Sequence, residues 1–201
     1  MEVYIMTTEK GFVQVYTGNG KGKTTAAIGL AIRALGAGKK VLFLQFMKEK
    51  SYSEHNILPN ISPNIKLETL GKPFFIARKE DLDPETLAQW ENKCVFFEPG
   101  KPPADYVQLI KEGVEKAKKE LMSGNYDLVI LDEINVAVFF ELITEETVLD
   151  LINSKAPKVE IVLTGRNATE KIMERADLVT EMREIKHYYT QGIEARKGIE
   201  N

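Results

Sequence analysis

Short, nearly continuous apolar runs separated by amphipathic stretches set the architecture of this chain. Val41-Leu42-Phe43-Leu44-Gln45-Phe46, Leu128-Val129-Ile130-Leu131 and Ile161-Val162-Leu163 contain almost no polar breaks. That is the pattern of strands buried on both faces rather than on one. Phe12-Val13-Gln14-Val15-Tyr16 predicts a further strand ahead of them. Thr24–Leu35 reads as a helix, because Ala26, Ala27, Leu30, Ala31 and Ala34 recur at helical spacing and are small enough for close packing on a sheet. Gly36 and Gly38 end it. The predicted order is strand, helix, strand, an irregular middle, then helix, strand, helix, strand, helix. Alternation of this kind implies a parallel sheet with right-handed crossovers.

The middle has a different character. Seven of the eight prolines lie between Pro59 and Pro103, so regular structure there is expected to be short and interrupted. Asp83-Pro84-Glu85 has the form of an N-cap followed by proline in the first turn, and starts a helix towards Lys93. A connection through Phe96–Pro103 then leads into a helix over Tyr106–Met122. Phe74, Phe75, Trp90, Phe96 and Phe97 concentrate in this part. Two readings stand: a satellite core beneath a long loop, or a wall against a large ligand.

Composition narrows the class. A chain of 201 residues, 43% hydrophobic and 28% charged, fits one globular domain with a substantial core. A net charge of −3 argues against nucleic acid as a partner. Cys94 is the only cysteine, so an internal disulfide and a cysteine-rich zinc site are excluded and a reducing compartment is expected. No apolar run approaches membrane-spanning length, and Met1-Glu2-Val3-Tyr4 lacks the basic-then-apolar pattern of a secretion signal. The expected location is the cytoplasm.

Candidate chemistry begins at Thr17-Gly18-Asn19-Gly20-Lys21-Gly22-Lys23-Thr24-Thr25, between the first strand and its helix. Glycines there let backbone N–H groups turn inward around an anion, and the helix N-terminus adds partial positive charge. Lys23 supplies a mobile point charge and Thr24 a hydroxyl for Mg²⁺. Thr17 stands where the usual phosphate-loop pattern has its first glycine. The third strand ends in Asp132-Glu133, at the sheet edge where open α/β folds bind ligands. One of these acids is placed to hold Mg²⁺, directly or through water. Leu163-Thr164-Gly165-Arg166-Asn167 again follows a strand, so Arg166 is expected at the same edge as a phosphate contact. His55 and His187 are too isolated for a metal site, and no nucleophile–base grouping is evident. The chemistry is therefore expected to use a nucleophile on the substrate.

These residues resemble the ATP:corrinoid adenosyltransferases of the P-loop type. The likeness lies in Thr17–Phe46, including Arg33-Ala34, and runs on through Met47-Lys48. It resumes at Asp127–Asn135, Thr164-Gly165-Arg166, Ala176–Met182, Lys186-His187 and Gly192–Glu200. It implies a single P-loop NTPase-like (RecA-like) domain over residues 1–201, a mostly parallel sheet flanked by helices. An irregular insertion is expected at about 71–105. It further implies transfer of the 5′-deoxyadenosyl group of ATP to Co(I) of a reduced corrinoid, cobalamin or cobinamide, with tripolyphosphate as leaving group. By position, Gly18, Asn19, Gly20, Lys21, Gly22, Lys23, Thr24 and Thr25 would hold ATP. Thr24 and Glu133 would hold Mg²⁺ with Asp132 behind them, and Lys23, Glu133 and Arg166 would carry the chemistry. Where family members have Gly-Phe-x-Trp, this chain has Gly71-Lys72-Pro73-Phe74-Phe75, so Phe74, Phe75 and Trp90 are the candidate corrinoid-pocket aromatics. A homodimer and a flavoprotein or reduced-flavin electron donor are also implied. Two other readings share the phosphate loop: a phosphotransferase such as a nucleoside kinase, and a non-catalytic ATP sensor.

Overall fold

The computed structural model describes residues 10–92 and 94–201, so Met1–Tyr4, and Lys93 at the end of the expected middle helix, lie outside the described residues. Six strands form one sheet in the order β3-β2-β6-β7-β1-β8, with every neighbouring pair parallel. They are β1 (Val13–Thr17), β2 (Val41–Phe46), β3 (Ile65–Leu70), β6 (Leu128–Asp132), β7 (Glu160–Thr164) and β8 (Leu178–Glu181). A second, two-stranded parallel sheet pairs β4 (Phe75–Arg78) with β5 (Cys94–Phe97).

The continuous apolar runs are explained by alternation between two covered faces. Val41 and Phe43 of β2 and Ile130 of β6 pack with Ala27, Ala31 and Ala34 of α1 (Lys23–Gly36). Leu42, Leu44 and Phe46 of β2, with Val129 and Leu131 of β6, point the other way. There they meet Tyr106, Ile110 and Leu121 of α4 (Ala104–Ser123) and Val148 and Leu151 of α6 (Glu145–Ser154). The alanines let α1 lie close to the sheet, which fixes where its N-terminus meets the phosphate loop. Short helices α2 (Leu58–Ile61), α5 (Ile134–Phe139) and α7 (Glu170–Arg175) complete the crossovers around the main sheet.

The middle is more regular than its prolines predict. Ile65-Lys66-Leu67-Glu68-Thr69-Leu70 pairs along the whole of β2 as an edge strand. The expected helix is present as α3 (Pro84–Trp90), with Asp83 Oδ1 accepting from the Thr86 N–H at 2.9 Å. It links β4 to β5, so residues 71–105 contain a parallel strand–helix–strand unit of their own. At the opposite edge, all four residues of β8 are exposed. None of the described helices is long and apolar enough to cross a membrane.

The topology brings the carboxyl ends of β1, β2, β6 and β7 to one edge. These ends carry the phosphate loop, Lys48, Asp132-Glu133 and Arg166. Gly71, just after β3, helps hold this edge: a Cβ there would lie 2.5 Å from backbone atoms of Lys48. Gly29, in contrast, is an exposed position of α1 with open space around it. Alanine at these two positions should have opposite effects in chemical denaturation. Gly71→Ala should lose roughly 1–3 kcal/mol as the chain ends shift apart. Gly29→Ala should gain about 0.5–1 kcal/mol from helix propensity. Equal and small effects would mean that the Gly71–Lys48 approach is not a packing constraint.

Candidate functional site

The phosphate loop is closed on itself. Gly18 (φ 95°) and Gly22 (φ 120°) adopt left-handed conformations that glycine tolerates and other residues resist. Lys23, at the first turn of α1, donates to the carbonyls of Gly18 and Gly20, 2.7 Å each. Burial pushes its ammonium pKa below the usual lysine value, and nearby Glu133 only partly opposes that. Its charge therefore sits inside the loop, ready to exchange loop carbonyls for an anion. Lys21 lies on the rim, bound to Glu200 at 2.9 Å and to the Ile199 carbonyl. Glu200 is held in turn by Tyr188 and Arg196, so residues 196–201 lie across one side of the loop.

Behind the loop sits Asp132, with no exposed surface. Oδ1 accepts from Thr24 at 2.9 Å and from Thr164 at 2.6 Å. Oδ2 accepts from Lys48 at 2.7 Å and from Gln45 Nε2 at 3.1 Å. His55 donates from Nε2 to Gln45 Oε1 at 2.6 Å, which orients the amide. Burial alone would raise the Asp132 pKa, but the Lys48 ammonium and the donated hydrogen bonds hold it below the ordinary aspartate value. Asp132 is a saturated anion that fixes its neighbours rather than reaching for a ligand.

Glu133 is its opposite. Its backbone is left-handed (φ 62°), with the N–H donated to Thr164 Oγ1 at 3.0 Å, and its side chain lines the cavity. No described residue donates a hydrogen bond to its carboxylate. Burial, then the adjacent Asp132 charge, raises its pKa above the usual glutamate range, against the partial relief of Lys48, Lys23 and Arg166. Arg166 is exposed, lines the same cavity and makes no hydrogen bond or ion pair with described residues. A carboxylate and a guanidinium without hydrogen-bond partners among the described residues thus face one space with a lysine bonded only to loop carbonyls, an arrangement that suits a polyphosphate with Mg²⁺. The described residues contain no cluster of three or more His, Cys, Asp and Glu suited to a metal. Mg²⁺ does not need one, since it takes waters and substrate phosphates as ligands.

The cavity has a volume of about 840 Å³. Asn19 to Thr25 line one side, whereas Gly18 faces a smaller neighbouring pocket. The expected aromatics separate. Phe75 reaches the cavity, Trp90 packs behind it with ring centroids 6.0 Å apart, and Phe74 turns inward against Tyr106 at 5.9 Å. Phe139 and Phe140, at the end of α5 beyond β6, supply the rest of the aromatic wall. Arg78 stacks on the Phe139 ring at 4.6 Å, donates to its carbonyl and pairs with Glu141 at 2.8 Å. Sequence reasoning did not single out Phe139, Phe140, Tyr52 or Lys48. The Phe-Phe pair after Asp132-Glu133 was the one signal that could have found the wall. His187 lines the cavity, and Cys94 does not; burial pushes its thiol pKa up to about 11.

Residues 9–201 match the family described as ATP:corrinoid adenosyltransferase BtuR/CobO/CobP. A corrinoid adenosyltransferase of Escherichia coli (strain K12) is 33% identical over 96% of this chain and 86% of its own length. One from Sinorhizobium sp is 34% identical over 96% of this chain and 82% of its own length. Among solved structures, a KaiC-like protein from Pyrococcus horikoshii OT3 is 17% identical, with a TM-score of 0.47 over 86% of this chain and 73% of that one.

The Glu133 environment predicts a pH-dependent stability cost. The native carboxyl keeps its proton to higher pH than an unfolded glutamate, whose reference value is 4.5. The cost is therefore absent below that value and fully present above the raised native pKa. Glu133→Gln should stabilise the ligand-free protein near pH 7.5 by roughly 1–2 kcal/mol, or about 2–8 °C in Tm. It should have little effect near pH 4. The same Tm difference at both pH values would contradict the assigned environment.

Proposed function

We propose, for a chain that belongs to the ATP:corrinoid adenosyltransferase family, that this corrinoid adenosyltransferase moves the 5′-deoxyadenosyl group of ATP to Co(I) and releases intact tripolyphosphate. The supporting observation is the division of labour at the sheet edge. Lys23, Glu133 and Arg166 face one cavity, while Asp132 is consumed in holding Thr24, Gln45, Lys48 and Thr164 in place. That equipment suits a departing polyphosphate, and Phe75, Phe139 and Phe140 line the same cavity.

The electron bookkeeping belongs to the substrates. The Co(I) lone pair forms a bond to C5′ of ATP, the C5′–O5′ bond breaks, and its electron pair leaves on the tripolyphosphate oxygen. Cobalt rises from +1 to +3, so no side chain need attack. The protein must hold the two reactants in line and stabilise the charge that develops on the leaving group. The loop N–H groups and the N-terminus of α1 bind the phosphates. Lys23 exchanges its bonds to the Gly18 and Gly20 carbonyls for phosphate oxygens, and Arg166 meets them from the β7 side. Thr24 and Glu133 are the residues that fit Mg²⁺, which when bound would add positive charge to the polyphosphate. Phe75, Phe139 and Phe140 form the face offered to the corrinoid, with Trp90 packed on Phe75 and Phe74 turned to the core beside Tyr106. Family membership does not favour the phosphotransferase or ATP-sensor readings. The proposed reaction needs a reductant to form Co(I), a reduced flavin or flavoprotein, and the expected assembly is a homodimer in the cytoplasm.

Anaerobic incubation with Mg-ATP and chemically reduced cob(I)alamin tests the reaction. Adenosylcobalamin should appear in the visible spectrum in step with tripolyphosphate. Release of ADP, or of separate phosphate and pyrophosphate ahead of any cobalt–carbon bond, would contradict it. Lys23→Ala should lower turnover by roughly 10²–10³-fold, the scale of losing one preorganised donor to a developing anion. A near-normal rate would remove Lys23 from the chemistry. Glu133→Gln should raise the Mg²⁺ concentration needed for half-maximal rate; an unchanged requirement would move the metal elsewhere.

A further inference from the structure

Lys48 lies against Thr24, which fits Mg²⁺ in the proposed phosphate site, and against Asp132 behind it. Its Nζ is 2.7 Å from Asp132 Oδ2 and 3.2 Å from Thr24 Oγ1. The side chain is only 11% exposed and opens on the cavity. The position is built rather than incidental. Met47 takes a left-handed conformation (φ 60°) to turn the chain at the end of β2, and its N–H is fixed to the Leu70 carbonyl at 2.8 Å. Gly71 closes against the Lys48 backbone. The Tyr52 ring lies 5.2 Å from the ammonium. Burial opposes this charge, but the Asp132 and Glu133 carboxylates together outweigh burial and raise the lysine pKa.

Two adjacent carboxylates, one with no hydrogen-bond donor from the described residues, would attract a divalent cation on their own. An ammonium bonded to the Thr24 hydroxyl occupies a lone pair that a metal would need, and it repels the incoming ion. We propose that Lys48 is a built-in placeholder cation, which keeps divalent metal out of the empty site and yields the Thr24 oxygen only when a nucleotide polyphosphate brings the metal with it. Lys48 is thus a positioning residue: it holds Asp132 and Thr24 in place, and it makes metal entry depend on nucleotide. This inference rests on the proposed assignment of Thr24 and Glu133 to Mg²⁺.

Mn²⁺ binding, followed by loss of the free-ion EPR signal at fixed ionic strength, tests it without any turnover. Without nucleotide, Lys48→Met should bind Mn²⁺ about tenfold or more tighter than the unaltered protein, the effect of removing a unit charge a few ångströms away at a partly screened site. Lys48→Arg, which keeps the charge, should stay weak. Lys48→Gln, which keeps a hydrogen-bond donor to Asp132 without the charge, should behave like the Met variant and serves if that variant does not fold. Equal nucleotide-free affinity in neutral variants and unaltered protein would overturn the placeholder role, as would a gain in Lys48→Arg as large as in Lys48→Met. A separate arm tests the underlying assignment: with ATP present, Glu133→Gln should weaken Mn²⁺ binding in an otherwise unaltered chain. No weakening there would fault the metal assignment and not Lys48.

Discussion

One buried carboxylate ties this structure together at its working edge. Asp132 draws a donor from the start of α1, one from β2, one from the turn beyond β2 and one from β7. A charge with no solvent exposure is tolerated only when its lone pairs are filled, and here all of them are. The four donors therefore cannot move independently. Thr24 sets the first turn of the phosphate-loop helix, Lys48 sets the turn after β2, and Thr164 passes the constraint on to the Glu133 N–H. The alanine face of α1 and the continuous apolar strands make the close packing possible. Asp132 determines the register in which those elements present their ends.

Its neighbour carries the opposite assignment. Neighbouring carboxyls whose environments drive their pKa values apart mark a division of roles. Asp132 is held low by Lys48 and its donors, whereas Glu133 is raised by burial and by Asp132 itself. The left-handed backbone at Glu133 keeps that carboxylate at the cavity instead of in the hydrogen-bond net. A site with an unsatisfied anion and an unpaired arginine is less stable than it could be when empty. That is the ordinary relation between a functional pocket and the fold that supports it.

The central strands were legible because burial on both faces leaves continuous apolar runs in the sequence. The phosphate loop was legible because glycine and Gly-Lys-Thr follow such a run. Convergence of Asp132-Glu133 and Arg166 on that loop followed from parallel topology, which puts all strand carboxyl ends on one edge. The edge strands were not legible. Ile65–Leu70 alternates apolar and polar residues among prolines, and Leu178–Glu181 is exposed throughout. Lys48 belongs to the stretch that carries the family likeness, but no role could be read for it, because a lysine after a strand normally faces water; its burial depends on Met47, Gly71 and Asp132, the last two far along the chain. Phe74 and Phe75 were indistinguishable as neighbours in sequence. Phe74 sits in the bend just before β4 and Phe75 opens the strand, so one joins the core beside Tyr106 and the other meets the cavity.

A structure of the protein with ATP and Mg²⁺ tests the central claim most directly, since it shows how the metal divides the two carboxylates. The account predicts the ion coordinated by Thr24 Oγ1, phosphate oxygens and waters, with Glu133 bound directly or through one water. Asp132 would still be held by Gln45 and Thr164 and would make no bond to the metal. Direct coordination of the ion by Asp132, with Glu133 turned away, would contradict it.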